Sequence, residues 1–216
     1  MAVVKLVWAT PDAEKYLAYM ARVSNPTATR DQPFARLLKY LVRKKHWSPF
    51  DMVNMCVEIN DCPRDVSRQM LRHHSLKFQE FSGRYAEYEK LLEPREARMQ
   101  DKDNRQNSLP CEDEKLEKWW AVTQDLVSVT VLGFYQKALK YGIAKEVARA
   151  ILPEGLVPSK VHVNGTVRSW IHYFEVRCDP ATQKEHRIVA EQIRDVFYET
   201  FPELKEILNN DVQSSS

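Results

Sequence analysis

The sequence predicts an α+β fold, a mostly helical single domain with a small antiparallel or mixed sheet, and three observations support this. The 216 residues are 44% apolar, which suffices for one compact core. The few strand-like segments are separated by helix-like ones, without the alternating strand–helix–strand units of a doubly wound sheet. No internal repeat or linker divides the chain. We therefore expect one domain over residues 1–208 and a disordered polar tail over 209–216.

Two periodicities predict the elements in the first half of the chain. Residues 3–8 form a short apolar run typical of a strand, and Thr10-Pro11 supplies a cap and a proline that open a helix over 10–22. Apolar residues at helical spacing predict a second helix over 33–45. Alternation of apolar and polar residues predicts a half-buried strand over 52–60, and a helix over 63–74 follows.

The second half begins with a polar segment and then becomes mainly helical. Residues 90–111 show no clear period, so we expect a long surface loop or an irregular hairpin. Residues 112–141 carry apolar side chains at helical spacing, and we expect this segment to be the core helix. The remaining elements, in order, are a helix over 143–152, a strand over 157–163, and helices over 166–177 and 180–200.

Composition excludes several classes of function. Lys and Arg total 32 against 30 Asp and Glu, so no broad positive field favours nucleic acid or membrane as a partner. The four cysteines share no spacing that suits a zinc site, and we expect no metal. The amino-terminal apolar run is too short for a signal or membrane segment, so we expect a soluble cytoplasmic protein. Glycine-loop fingerprints for nucleotides are missing, so any nucleotide must be held in another way.

The densest group of chemistry-bearing residues lies between residues 68 and 85. Helical spacing places Arg68 and Arg72 near one face, and like charges placed together need an anion. Arginine binds phosphate through a planar fork of donors, and a Ser-Gly pair before Arg84 adds a hydroxyl and an open backbone N–H. The phosphate of a mononucleotide fits this combination. A solvated polar helix face is the alternative.

The same stretch resembles the signature of the ThyX family, the flavin-dependent thymidylate synthases, written R-H-R-x-x-S-x-N-x-x-S-x-R-Y. Five of its eight fixed positions match, namely Arg72, His73, Ser82, Arg84 and Tyr85. The three departures are His74 in place of Arg, Lys77 in place of Ser, and Gln79 in place of the usual Asn.

Further segments keep the order and approximate spacing of the same family. The stretch H-W-S-P-F-D resembles the family's H-x-[ST]-P-F-[ED] loop, and Arg177 lies nine residues after Arg168, as in the family. The segments concerned are 21–24, 46–51, 146–149 and 164–170, and the resemblance covers roughly residues 20–190. Each segment alone also fits an ordinary turn, helix cap or surface ion pair, so the resemblance depends on their co-occurrence.

The resemblance implies conversion of dUMP to dTMP at sites formed between the subunits of a homotetramer. The methylene group would come from 5,10-methylenetetrahydrofolate, the hydride from FADH2, and NADPH would reduce FAD. The resemblance also implies that no cysteine attacks the pyrimidine, and the basic stretch contains no cysteine. The catalytic residue is Arg177, a fixed cation that would stabilise the charge developing when uracil N3 loses its proton.

The resemblance also implies two sets of binding residues and no metal ligand. The dUMP set is Gln69, Arg72, Glu80, Ser82, Gly83, Arg84, Arg149 and Arg177. The FAD set is Ser24, His46, Ser48, Arg72, His73, His74, Glu80, Asn164, Thr166, Arg168 and His172. By contrast, we expect His186 to be structural.

Two other functions stay open at this point. The departures at His74, Lys77 and Gln79 motivate an FAD-dependent NADPH oxidase or reductase without methyl transfer. A basic-helix nucleic-acid-binding module using residues 68–74 is the second alternative, although the near-neutral net charge argues against it.

Overall fold

The structure, a computed structural model, describes residues 2–213 and the side chains of residues 2–209. Its strands are β1 (Val3–Ala9), β2 (Asn54–Pro63), β3 (Lys77–Glu80), β4 (Arg98–Gln100), β5 (Ser108–Pro110) and β6 (Pro158–Thr166). Its α-helices are α1 (Ala13–Ala21), α2 (Ala35–Arg43), α3 (Arg64–Met70), α4 (Glu114–Lys140), α5 (Lys145–Ala148), α6 (Val167–Arg177), α7 (Lys184–Thr200) and α8 (Pro202–Gln213). The α+β prediction is confirmed.

The main sheet has the strand order β1-β2-β6-β3, and every neighbouring pair is antiparallel. One row of paired residues crosses all four strands, from Leu6 through Val57 and Val163 to Phe78. Val57 and Val163 are fully buried. Strands β4 and β5 form a separate hairpin within the segment 90–111, where the sequence predicted a loop or an irregular hairpin.

The main core lies where the helices pack against this sheet. Alternate residues of β2 join it, as the strand pattern predicted, together with aromatic side chains of α6 and α7. Trp170 of α6 is fully buried, and its indole Nε1 donates a hydrogen bond to the Met55 carbonyl at 3.0 Å. This bond fixes α6 across the central strands, because a buried indole N–H needs a partner.

The long helix α4 contradicts the prediction that residues 112–141 form the core helix. Along its whole length, which the structure describes, only Gln124 and Tyr135 are buried. Leu126 is 67% exposed and Val129 is 74% exposed, and only a few apolar residues near the carboxyl end, such as Leu132 and Leu139, pack against a small cluster around Tyr135. Helical periodicity shows which residues share a face, but it does not show what covers that face.

Several predicted boundaries also differ from the structure. Thr10 does not cap α1; its hydroxyl instead accepts the Asn54 N–H at 3.0 Å and ties the end of β1 to the start of β2. The third predicted helix ends at Met70, four residues early. Helix α8 continues to Gln213 and so includes part of the predicted tail, and residues 214–216 lie outside the described residues.

Replacing Ile193 of α7 with alanine should lower the free energy of unfolding by about 2–5 kcal/mol, because a fully buried side chain leaves a cavity that the core closes only partly. Chemical denaturation followed by circular dichroism measures the change. Val23→Ala is the control, since Val23 is 86% exposed and its loss should cost less than about 0.5 kcal/mol. Equally small effects from both substitutions would show that α7 does not anchor the core.

Candidate active site

The carboxyl end of α6 and the turn after α3 place Arg177 beside His73. The Arg177 Nε–H donates to His73 Nε2 at 2.8 Å, although the two residues lie 104 positions apart. The His73 ring packs edge-on against Tyr173, with ring centroids 5.0 Å apart. Burial, and then the nearby charge of Arg177, lowers the pKa of His73 to about 4, so the imidazole is neutral and able to accept this bond.

Arg177 is held in this way through one nitrogen alone. Within the described residues, the structure records no hydrogen bond from its two terminal guanidinium nitrogens. A half-buried guanidinium anchored at Nε keeps its planar pair of donors for an anionic or carbonyl acceptor. The sequence analysis assigned Arg177 to the dUMP set and His73 to the FAD set, and the structure brings the two residues into contact.

Two adjoining cavities lie beside the start of α6. One, of about 500 Å³, is lined by residues that include Trp47, Ser75, Arg168 and His172. The other, of about 460 Å³, is lined by residues that include His46, Trp47, Ser48 and Arg168. Because Trp47 and Arg168 line both, four residues of the predicted FAD set share one continuous surface.

Local hydrogen bonds fix the entrance to α6. Thr166 is the amino-terminal cap of this helix, and its hydroxyl accepts the Ser169 N–H at 3.1 Å. Asp51 binds the same region from the 3₁₀ helix Ser48–Met52, accepting from Thr166 at 3.1 Å and from Arg168 at 2.9 Å. Asn164 Oδ1 is buried and has no hydrogen-bond partner among the described residues.

The residues of the Ser82–Arg84 loop form a second group, together with α5. Arg84 Nε lies 3.3 Å from Glu146 Oε2, and both side chains are more than half exposed, so this ion pair is weak. Arg149 follows α5 and is half-buried. A Cβ at Gly83 would lie 2.7 Å from the ring of buried Tyr88, so only glycine fits there without a shift.

Two residues of the predicted dUMP set are engaged inside the fold. Glu80 Oε1 accepts the hydroxyls of Ser67 at 2.7 Å and Ser159 at 2.8 Å. The Gln69 amide is bonded at both ends, through Oε1 to His186 and through Nε2 to Gln183. Each end still has one unused hydrogen-bonding position, so Gln69 keeps the capacity to bind a ligand.

The predicted residues thus lie in separate groups within one chain. The recorded contact of Arg177 is with His73, whereas Arg84 pairs with Glu146. Ser24, Arg72 and His74 are exposed, and no hydrogen bond from their side chains is recorded in this part of the chain. Five residues of these groups were not predicted from the sequence, namely Trp47, Asp51, Ser75, Tyr173 and Gln183; the first three lay within a recognised motif, and the last two did not.

Metal-binding clusters and membrane-spanning helices are both absent from the described residues. No group of three or more His, Cys, Asp or Glu side chains there is arranged to hold a metal ion. No helix in the described part of the chain is long and apolar enough to cross a membrane.

Comparisons with known proteins agree with these observations. The family described as thymidylate synthase complementing protein, Thy1, matches residues 5–203. A flavin-dependent thymidylate synthase of Synechocystis sp. is 48% identical over 192 residues, covering 88% of this chain and 86% of the relative. A probable flavin-dependent thymidylate synthase of Paramecium bursaria Chlorella virus 1 is 43% identical over 198 residues, or 91% of each chain.

A solved structure matches the fold closely. The UMP/dUMP methylase PolB from Streptomyces cacaoi, bound with 5-Br UMP, superposes with a TM-score of 0.80 at 25% sequence identity. The match covers 97% of this chain and 94% of PolB.

Lowering the pH from 6.5 to about 5 should destabilise the folded protein through its two internal histidines. Burial lowers the pKa of His186 from 6.5 to about 3, and that of His73 to about 4, so in this window the unfolded chain binds protons that the folded chain excludes. Stability therefore rises with pH up to about 6.5. Denaturation midpoints measured across this range give the slope.

The substitution His186→Gln isolates one of these two contributions. The variant lacks the histidine whose pKa is lowered most in the folded protein. The slope of the free energy of unfolding against pH should therefore fall by up to about 1.4 kcal/mol per pH unit. A slope that the substitution leaves unchanged contradicts the assignment of His186 as a neutral internal group.

Proposed function

The chain belongs to the thymidylate synthase complementing protein family, Thy1, and from that membership we propose that it is a flavin-dependent thymidylate synthase acting on dUMP. The observation that carries the proposal is the Arg177–His73 contact, beside the surface that includes Arg168 and His172. It supplies a cation that is fixed in place and has free donors. The substrates we propose are dUMP, 5,10-methylenetetrahydrofolate and NADPH.

Arg177 has the properties that activation of uracil requires. C5 becomes a nucleophile when negative charge builds up on the pyrimidine, as when N3 loses its proton. A preorganised cation stabilises that charge without reorganising at the moment of reaction. Neutral His73 contributes by orienting the guanidinium and adds no competing charge.

The cysteines support a mechanism without a thiolate nucleophile. Cys178 follows Arg177 directly, yet burial raises the pKa of its thiol. Burial raises the pKa of Cys62 to about 12 and also raises that of Cys56. Thiols in this state are poor nucleophiles near neutral pH, so none of the three suits attack on the pyrimidine ring.

The residues around the two adjoining cavities fit FAD. Arg168, His172 and His46 offer donors suited to a pyrophosphate. Asn164 lines neither cavity but lies two residues before Thr166, and its buried Oδ1, which has no hydrogen-bond partner among the described residues, can accept an N–H from the cofactor. When bound and reduced, FAD supplies the hydride that converts the transferred methylene to methyl. Asp51 would keep Arg168 in position through its 2.9 Å ion pair.

The separation of the groups supports assembly into a homotetramer with sites between subunits. Arg177 is anchored by His73 and Arg84 pairs with Glu146, so the two cations belong to different sets of contacts, whereas a mononucleotide needs both its base and its phosphate held. The apolar face of α4 is exposed over a helix of 27 residues. Exposed apolar surface of this extent is typical of a protein–protein interface.

The two alternatives differ in how the structure bears on them. The reductase alternative was motivated by His74, Lys77 and Gln79, all of which are exposed. A reductase that lacks methyl transfer is therefore one outcome of the first test below. The nucleic-acid alternative loses part of its basis, because Arg68 is paired with Glu154 at 2.8 Å and does not contribute to a continuous cationic face.

Replacing Arg177 with alanine should lower the rate of dTMP formation by about 10²-fold or more, because the developing charge on uracil loses its fixed cation. Arg84→Ala should chiefly raise the KM for dUMP, since a phosphate-binding group acts on the ground state as well. Tritium release from C5-labelled dUMP, dependent on methylenetetrahydrofolate, measures both effects.

Absorbance and a remote substitution supply the controls for this test. The purified protein should be yellow and bleach with NADPH in the wild type and in both variants. Arg36→Ala, at an exposed position of α2, should match the wild type. A yellow wild-type protein that NADPH bleaches but that releases no tritium would establish the reductase instead.

Replacing Leu126 of α4 with glutamate should dissociate the assembly, because a charge would enter a covered apolar interface. Size-exclusion chromatography with light scattering should show a tetramer for the wild type and smaller species for the variant, with dTMP synthesis lost. Lys205→Glu on α8, also a change of charge at an exposed position, is the matched control. An active monomeric wild type would contradict the shared sites.

A further inference from the structure

A chain of internal hydrogen bonds links α6, α7 and α3. Tyr173 Oη lies 2.9 Å from His186 Nε2, and His186 Nδ1 lies 3.1 Å from Gln69 Oε1. Gln69 Nε2 donates to Gln183 Oε1 at 2.6 Å, and Gln183 Nε2 donates to the Asp65 carboxylate at 3.2 Å. No sequence motif indicates this chain of hydrogen bonds, whose members lie up to 118 positions apart.

Carboxylates at one end fix the direction of every bond. The Gln183 NH2 group contacts Asp65 and also Glu185 at 3.0 Å, and ionised carboxylates only accept, so the Gln183 oxygen must point to Gln69. Gln69 must then donate to Gln183 and present its own oxygen to His186. His186 consequently carries its proton on Nδ1, and its bare Nε2 accepts the Tyr173 hydroxyl.

Ion pairs hold the carboxylate end in its charged form. Arg95 binds Asp65 through two bonds, at 2.9 and 2.7 Å, and Arg98 binds Glu185 at 2.6 Å. Burial raises the pKa of Asp65, but the Arg95 bonds outweigh it and leave the pKa below its ordinary value. The acceptors that orient the chain therefore persist across the neutral range.

The hydrogen-bond chain connects to two residues of the predicted dUMP set, Gln69 and Arg177. Gln69 is a link of the chain itself, and the Tyr173 ring packs against His73, which holds Arg177. His186 and Tyr173 are completely buried, so neither contacts solvent or a ligand bound at the protein surface. An internal polar group without a partner is costly, which keeps the chain intact in the folded protein.

We propose that His186 and Gln183 are positioning residues that fix the orientation of the Gln69 amide at the dUMP site. This rests on the proposed function, in which Gln69 contacts dUMP. With one amide N–H committed to Gln183 and one oxygen lone pair to His186, the remaining donor and acceptor of Gln69 have fixed places. The ligand therefore meets a Gln69 amide that already has one orientation, so binding does not have to choose between the two flipped forms of the amide.

The test compares three variants on α7 by their affinity for dUMP. His186→Phe keeps a buried ring but removes both nitrogens, and we expect the Kd for dUMP to rise about tenfold. His186→Gln can donate to Gln69 and accept from Tyr173, and should restore the Kd to within about threefold of the wild type. Gln192→Leu also loses two hydrogen bonds, to the Val4 N–H and the Ala2 carbonyl, and should stay within about twofold.

Isothermal titration calorimetry with dUMP supplies the Kd, and the KM and kcat for dUMP are measured in parallel. The increase should appear in KM more than in kcat, because the amide acts on binding. Equal losses in His186→Phe and Gln192→Leu would mean a general effect on folding and would overturn the proposal.

A double-mutant cycle shows whether His186 acts through Gln69. In a Gln69→Leu background, His186→Phe should change the Kd by no more than about twofold, because the amide that it orients is gone. If the Kd of the double variant rises by the product of the two single changes, His186 acts independently of Gln69 and the proposal is overturned. A wild-type protein that binds no dUMP refutes the proposed function, whereas wild-type binding that His186→Phe leaves unchanged refutes only the positioning role.

Discussion

The pairing of β6 with strands on both sides is the constraint on which the site depends. On one side, Asn54 of β2 pairs with Thr166, which places the loop containing Asp51 at the start of α6. On the other side, Lys77 of β3 pairs with Asn164, which brings the turn after α3 to the same edge. Three segments that are far apart in the sequence therefore meet around one strand end, and α6 extends from it toward Arg177.

Neutral histidines make this arrangement possible next to several arginines. A protonated His73 would repel Arg177, whereas the neutral ring accepts its Nε–H at 2.8 Å. His186 is kept neutral by the same burial, and its Nδ1–H donates to the Gln69 amide, whose direction Asp65 sets through Gln183. The candidate site is thus organised by a few long-range polar contacts, which burial strengthens completely at Tyr173 and His186 and partly elsewhere.

Sequence periodicity predicted the elements well and their surroundings poorly. The alternation in β2 identified its buried face, because a strand in a sheet has one side toward the core. The spacing in α4 was equally regular, yet its apolar face lies outside the core of the single chain. Motifs identified Arg177, His73 and Arg168, whereas Gln183 entered the site through contacts across 114 residues that no local pattern encodes.

Tyr88 lies between the loop at Gly83 and the helix α4, where its backbone N–H donates to Tyr135 Oη at 3.3 Å. No room remains for even a methyl group at position 83 while Tyr88 keeps its place. A larger residue at 83 therefore requires Tyr88 to shift or to be replaced by a smaller residue, which couples the two positions during divergence. A change at Tyr88 would in turn leave the underside of α4 without its packing partner, which extends this evolutionary coupling from the loop to the helix.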